Sequence, residues 1–359
     1  MRVIDLFCGT GGFSLGARTA GLEIVRSVDI DPVLTSTYKL NFPGSNMTLG
    51  DVSDLTGEDL KKSAHGHVDG LIGGPPCQGF SLMGKRDELD PRRLLVDHFF
   101  RLVAELRPTF FVMENVVGLM QGEARTVLDN AISRLPSAYA LTGPTILDAS
   151  DFGVATNRKR VFVVGVLAEY ADLPTLTPPA GALKATVRDA IADLALSREI
   201  GSDVQGFDLW ELPKRGYKST YAETLRSQDR RFTGNQRTVH SDSVTQRFAT
   251  VVPGKSDLVG RHQRLSWDGL CPTLRAGTGS DRGSFQSVRP LHPDEPRVIT
   301  VREAARLQGF PDIHRFHPTI WHSFRMIGNS VSPPVAAGVL RNVIAGCEGS
   351  RVPHPIAAE

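Results

Sequence analysis

Residues 1–16 read MRVIDLFCGTGGFSLG, and their order decides the fold. The apolar run Val3 to Phe7 has the length of a buried strand and ends in a glycine-rich turn that opens a helical stretch, clearest over Gly16 to Ala20. Glycines at such a junction let backbone N–H groups approach a bound cofactor closely. Many dinucleotide folds share this segment, so alone it does not choose a ligand.

Outward from it, short apolar runs alternate with helical stretches. Glu23 to Asp29, Val68 to Ile72, Thr109 to Met113 and Val161 to Val166 read as strands. Arg92 to Leu106 carries Leu95, Phe99, Leu102, Val103 and Leu106 at helical spacing and stops before Pro108. This alternation predicts an α/β domain, Rossmann-like, with a parallel sheet covered on both faces. From Thr175 to Pro179 proline becomes frequent and apolar periodicity fades, which predicts a boundary. The expected division is a first domain over 1–174, a smaller loop-rich domain over 175–300, a connecting segment over 301–324, and a helical segment over 325–350 that returns to the first domain. Lys214 to Arg247 is rich in Arg, Gln, Ser, Thr and Asn, so it is either a solvated insertion or a surface for phosphates and base edges.

The 359 residues, 40% hydrophobic and 22% charged, allow one large core and a smaller one. A formal charge of +2 neither demands nor repels a nucleic acid. Cys8, Cys77, Cys271 and Cys347 stand far apart, which argues against a zinc site or a disulfide framework; no metal is expected. No apolar run approaches the ~20 residues of a membrane span, and the N-terminus lacks the pattern of a signal peptide. The expectation is a soluble cytoplasmic protein.

Two acids sharpen the first turn. Asp29, ending the second strand, is placed to bond ribose hydroxyls, and Asp51, after Leu49-Gly50, would suit an adenine amino group; each reads equally well as a surface acid. The second constellation is GGPPCQGFS at residues 73–81, directly after the strand Val68 to Ile72. Ligand chemistry in an open α/β sheet lies beyond the carboxyl ends of strands, and two prolines stiffen the turn that presents Cys77. A lone cysteine is more often a buried small hydrophobe, but this frame favours a nucleophile.

With these blocks in view the chain resembles the DNA cytosine-C5 methyltransferases. DLFCGTGGFSLG (5–16), GGPPCQGFS (73–81), ENVVGL (114–119), RKR (158–160), REAARLQGFPD (302–312) and GNSVSPP (328–334) occur in the family's order and span nearly the whole chain. The resemblance implies an S-adenosylmethionine-dependent enzyme, acting as a monomer on double-stranded DNA, with 175–300 as its target-recognition domain. It also implies a place in restriction-modification or phage defence, beside a cognate nuclease or defence system.

Carried over by residue, the resemblance puts Phe7, Gly9, Thr10, Gly11, Gly12 and Phe13 around the cofactor. Asp29 would hold the ribose, Ile30 would pack on adenine, and Asp51 with Val52 would meet the adenine edge. Gly74, Pro76 and Leu95 would wall the pocket, and Asn329 and Ser330 would close it. Many relatives have Glu where this chain has Asp29, and commonly Gln where it has Thr156. Cys77 would add to C6 of a flipped cytosine and make C5 nucleophilic. Glu114, kept protonated by burial, would share its proton with N3. Arg160 would contact the cytosine O2 and Arg158 would order Glu114 or a phosphate. Gln78, Ser81, Lys85, Arg86 and Arg92 would close over the DNA, and Arg230, Arg231, Gln236 and Arg237 would meet it from the recognition region. Three other readings stand beside this one: an RNA cytosine methyltransferase on the same scaffold, a catalytically silent DNA-binding member, and a nicotinamide oxidoreductase that leaves the Pro-Pro-Cys block unexplained.

Overall fold

Strand β1 (Arg2–Leu6) lies in the middle of a seven-stranded sheet because its side chains, buried from Val3 onward, have apolar cover on both faces. The computed structural model describes residues 1–76, 94–170, 174–217, 219–276 and 288–349. After β1 come α1 (Gly12–Thr19), β2 (Glu23–Asp29), α2 (Tyr38–Asn41), β3 (Met47–Leu49), α3 (Gly57–Ala64) and β4 (Gly70–Gly73). Next are α4 (Leu95–Leu106), β5 (Phe110–Val116), α5 (Gly122–Ser133), β6 (Tyr139–Asp148), β7 (Thr156–Asn157) and β8 (Lys159–Leu167).

The sheet order is β3-β2-β1-β4-β5-β8-β6. The chain moves outward from β1 through β2 to β3, then crosses back to build the other side from β4. Such a reversal opens a crevice at the carboxyl ends of β1 and β4. β1 to β5 pair in parallel, whereas β8 runs antiparallel to both β5 and β6. The sheet is therefore mixed rather than wholly parallel, a point that the uniformly apolar run Val161 to Val166 could not disclose.

One face packs Leu60, Phe99, Phe100, Leu102, Leu106 and Leu128 of α3, α4 and α5 against Ile4, Leu71, Phe111 and Val163. The other carries α1 and the last helix, α11 (Pro333–Gly349), whose Val335, Ala336, Val339, Leu340 and Val343 join Phe13, Ala17, Ile72 and Val164. The two helices touch closely because Gly16 has no side chain: a Cβ there would lie 2.4 Å from that of Ala336.

Between them are α6 (Val187–Ile191), β9 (Arg198–Ser202), β10 (Asp208–Glu211), α7 (Thr220–Leu225), β11 (Arg231–Phe232), α8 (Asp242–Ala249), β12 (Cys271–Pro272), α9 (Val301–Leu307) and α10 (Ile320–Asn329). β9, β10 and β11 form a small antiparallel sheet. The connecting segment does more than connect. Val301, Ala304, Leu307, Phe310, Phe316 and Phe324 form one core with Val187, Leu194, Leu212 and Phe232. Among the described residues, no helix is long and apolar enough to cross a membrane.

Candidate active site

At the head of β1 the backbone turns sharply. Phe7 adopts φ 59°, a left-handed conformation that costs a non-glycine residue about 1–3 kcal/mol, and Gly9 and Gly11 follow at 49° and 89°. Asp29 at the end of β2 holds this turn. Its Oδ2 accepts the Gly9 N–H and its Oδ1 accepts the Asp31 N–H, both at 2.8 Å. Burial raises its pKa and these backbone donors oppose the rise. A carboxylate oxygen has two lone pairs, so each can still accept from a ribose hydroxyl. The shorter carboxylate is thus wedded to the turn itself.

Beside it Ile30 stands 64% exposed, an aliphatic surface at the crevice edge. Asp51 caps the short turn Val52–Asp54, where its Oδ1 accepts the Ser53 N–H at 2.8 Å, and that bond holds its carboxyl below the usual range. Val52 buries its side chain in the core, which leaves only its backbone to meet a ligand. One residue into α1, the Phe13 ring turns inward and packs with Val3, Ile72 and Val331. Gly12 is where the chain's end closes on its beginning, because a Cβ there would lie 2.0 Å from Ser330 Oγ. Asn329 is exposed beside it, at the end of α10, and Leu95 is half-buried at the start of α4. The first turn is thus tied to β2 through Asp29 and meets the α10–α11 junction through Gly12 and Ser330.

The second half of the site rises from β5. Glu114 is 7% exposed and its Oε1 receives Arg160 Nε at 3.0 Å. Burial pushes its pKa up while the guanidinium groups of Arg160 and Arg158 pull it down; the net direction is upward. The acid thus lies against the Arg160 guanidinium while burial holds its pKa up. A Cβ on Gly74 would come within 3.3 Å of Glu114 Oε2, so the glycine keeps the Pro-Pro turn close to the acid. Asn115 Nδ2 donates to the Pro75 carbonyl at 3.0 Å and anchors the same turn to the strand. Cys77, Gln78, Ser81, Lys85, Arg86 and Arg92 lie outside the described residues.

The family model for C-5 cytosine-specific DNA methylases matches residues 1–345. The chain belongs to this family. It is a DNA cytosine-5 methyltransferase. It is 44% identical over 360 residues to the type II methyltransferase M.XorII of Xanthomonas oryzae pv. oryzae, an alignment covering 94% of this chain and 82% of that protein. It is 32% identical to the type II methyltransferase M.DdeI of Desulfomicrobium norvegicum, covering 96% and 88%. Among solved structures, a prophage-encoded E. coli protein described as a DNA modification methyltransferase superposes with a TM-score of 0.83 at 38% identity, covering 96% of this chain and 98% of that one. S. pombe Dnmt2, at 19% identity and a TM-score of 0.62, shares the fold.

In this methylase Arg158, expected to order Glu114 or a phosphate, has its guanidinium among backbone carbonyls. It is 2% exposed, and its terminal nitrogens donate to the carbonyls of Leu274 (3.0 Å), Gly328 (2.8 Å) and Ser330 (2.9 Å). Three carbonyls at one guanidinium make it a bracket between the β7–β8 junction, Leu274 and the α10–α11 junction. Arg158 nevertheless lies close enough to Glu114 to lower that acid's pKa. Thr156 braces the same junction, since its hydroxyl donates to the Cys271 carbonyl at 2.9 Å and its strand β7 pairs with β12.

The recognition residues are partly engaged. Arg230 faces Glu211 at 3.6 Å, Arg231 is exposed on β11, and Arg237 pairs with Glu295 at 3.0 Å. Gln236 exposes its side chain, while its N–H joins those of Gly234 and Asn235 on the Asp208 carboxylate. That loop rests on α9, where Arg302 Nε donates to the Thr233 carbonyl at 3.0 Å. Sequence reasoning assigned no work to Arg302, Arg306, Gln308 or Asn115. Arg302 and Arg306 are fully buried, and Arg306 bonds both Asp312 oxygens and Asp193. Gln308 Nε2 donates to the Ile327 and Ser330 carbonyls. Their signal was charge in a motif otherwise spaced like a buried helix.

Proposed function

We propose that this methylase transfers a methyl group from S-adenosylmethionine to C5 of a cytosine flipped out of sequence-specific double-stranded DNA, with Cys77 as covalent nucleophile. The observation that carries the reading is the buried Glu114–Arg160 pair set against the Gly74–Pro75 turn that leads straight into Cys77. When bound, the cofactor supplies a methyl group made electrophilic by its sulfonium. Asp29 would hold its ribose, Ile30 its adenine face, and the Gly9 to Gly12 turn its remaining length.

The protein's own residues do the rest. The Cys77 thiolate forms a bond to cytosine C6, and the displaced π electrons move toward C5 and N3. Glu114 shares a proton with N3 as charge builds there, and Arg160 steadies both the acid and the ring oxygen. C5 then takes the methyl group. Loss of the C5 proton and expulsion of the thiolate restore the aromatic ring and free the enzyme. The type II names of its relatives support a place in restriction-modification, and the proposal extends to a monomer acting in the cytoplasm beside a cognate nuclease.

The test uses DNA carrying 5-fluorocytosine, in which fluorine blocks the last elimination. Wild-type protein should form a covalent adduct stable to denaturing gels, and Cys77→Ala should lose adduct and turnover together. Substantial methylation by Cys77→Ala would overturn the nucleophile.

A further inference from the structure

We infer that His314 is a positioning residue for the cofactor turn, through which the recognition region and the S-adenosylmethionine site are mechanically joined. The inference rests on the function proposed above and adds a residue to it. His314 lies in the loop after α9, remote in sequence from the glycine turn, yet its Nε2 is 3.2 Å from Thr10 Oγ1. Asn41 Nδ2 reaches the same nitrogen at 3.1 Å. Asn41 Oδ1 accepts the Arg315 N–H at 2.8 Å, which fixes the amide so that its NH2 end faces the imidazole. Nε2 is therefore an acceptor, and Thr10 turns its proton toward the ring. The Thr10 oxygen keeps its lone pairs for whatever occupies the crevice side.

The ring is buried among Phe310, Phe316 and Phe42 and also bonds the Thr10 backbone, which leaves it no room to swing. Burial and the nearby Arg302 hold its pKa far below the usual value, which keeps the acceptor unprotonated. The other end of the residue faces the recognition side. The His314 carbonyl accepts Arg302 Nη2 at 2.8 Å, and the same guanidinium bonds Thr233, the residue before the Gly234–Gln236 loop. Arg315 completes the clasp: its backbone bonds Thr37 and Asn41 beside the cofactor wall, and its guanidinium pairs with Asp203 at 2.7 Å. One dipeptide thus touches the cofactor turn, α2 and the Asp203 segment of the recognition region, and reaches a second segment at Thr233 through Arg302.

The test compares His314→Leu, His314→Gln, Thr10→Val and the Thr10→Val/His314→Leu double variant. Affinity for S-adenosylhomocysteine is measured by calorimetry, and KM and kcat for S-adenosylmethionine by tritium transfer to bulk bacterial DNA lacking cytosine methylation. Losing a buried acceptor should raise KM and Kd about tenfold in His314→Leu, with kcat at saturating cofactor changed little. Thr10→Val should do the same, the double variant should be no worse than either single, and Gln, which retains an acceptor, should restore part of the loss. A His314→Leu protein with wild-type KM and Kd, or single effects that multiply in the double variant, overturns the inference. If His314→Leu does not fold, Thr10→Val and the half-exposed Arg315→Ala decide it: both must raise KM, Arg315→Ala by about threefold, and unchanged values refute it. Wild-type protein that binds no S-adenosylhomocysteine would instead refute the proposed function.

Discussion

Glu114 sits where three pressures meet: burial that favours its neutral form, and two guanidinium groups that favour its anion. Glu114→Gln retains the shape and removes the proton, and it leaves Arg160 without its anion. Turnover should fall by about 10²-fold or more while S-adenosylmethionine affinity remains, since general acid help is worth 10²–10⁴. Single-turnover rates and a cofactor titration on the same preparation check this, and an equal loss in both would make Glu114 merely structural. Asp5 tests electrostatics away from the reaction. It is 1% exposed in β1, accepts from Ser14 Oγ at 2.5 Å, and has no hydrogen-bond partner at Oδ1; burial pushes its pKa up to about 7. The unfolded chain releases this proton near pH 3.9, so between roughly pH 4 and pH 7 the native state holds a proton that the unfolded state has lost. Stability must decline as pH rises through that window and stay lower above it. Calorimetric melting from pH 5 to pH 8 should show a falling Tm in wild type and a flatter profile in Asp5→Asn; identical slopes would sink the assignment. At this scale the sequence discloses residues whose type is chemical, such as Glu114 and Asp29. It hides His314 and the three carbonyls around Arg158, because a side chain's carbonyl or hydroxyl partners, often more than a hundred residues away, are not written beside it.

The elements were legible where apolar period and length agreed. β1, β2, β4, β5, β8 and α4 fall close to the runs that predict them, although β5 extends three residues past Met113 and carries Glu114 inside the strand. β6 was not foreseen, since Gly143-Pro144 interrupts it and its outer position leaves most of its residues only half-buried. The short strands β9 to β11 were also missed, being brief and polar, and so was α10, an amphipathic helix whose apolar face packs on distant segments. The α1–α11 contact makes a prediction of its own. In Gly16→Ala the new methyl would lie 2.4 Å from Ala336 Cβ and 2.8 Å from the Pro333 carbonyl. Overpacking of this kind costs about 1–3 kcal/mol. A lower urea midpoint with an unchanged slope should follow, and an unchanged midpoint would show that the helices separate freely.

For the whole molecule, division of labour is the central expectation: the sheet performs chemistry and the region around 175–300 selects the sequence. Arg231 and Gln236, exposed on a β-strand and on an Asp208-pinned loop, are the residues best placed to read bases, whereas Arg237 is tied to Glu295. Replacing Arg231 or Gln236 with Ala should relax preference at single base pairs, each good contact being worth about 1–3 kcal/mol, while Arg237→Ala should weaken binding to all sequences alike. Genome-wide maps of methylated sites decide it, and maps identical to wild type for all three would place specificity elsewhere.

The meeting of Gly12 with Ser330 also bears on how the protein is made. The turn that would grip the cofactor leaves the ribosome more than three hundred residues before Ser330, which shuts it. At ~5–20 residues per second, roughly a quarter of a minute to a minute separates the two. Throughout that interval the nascent chain has a half-built crevice and no closed partner for it. Fragments released early, by a premature stop or a protease cut before Ser330, would lack the latch and should hold S-adenosylmethionine more weakly than the intact chain.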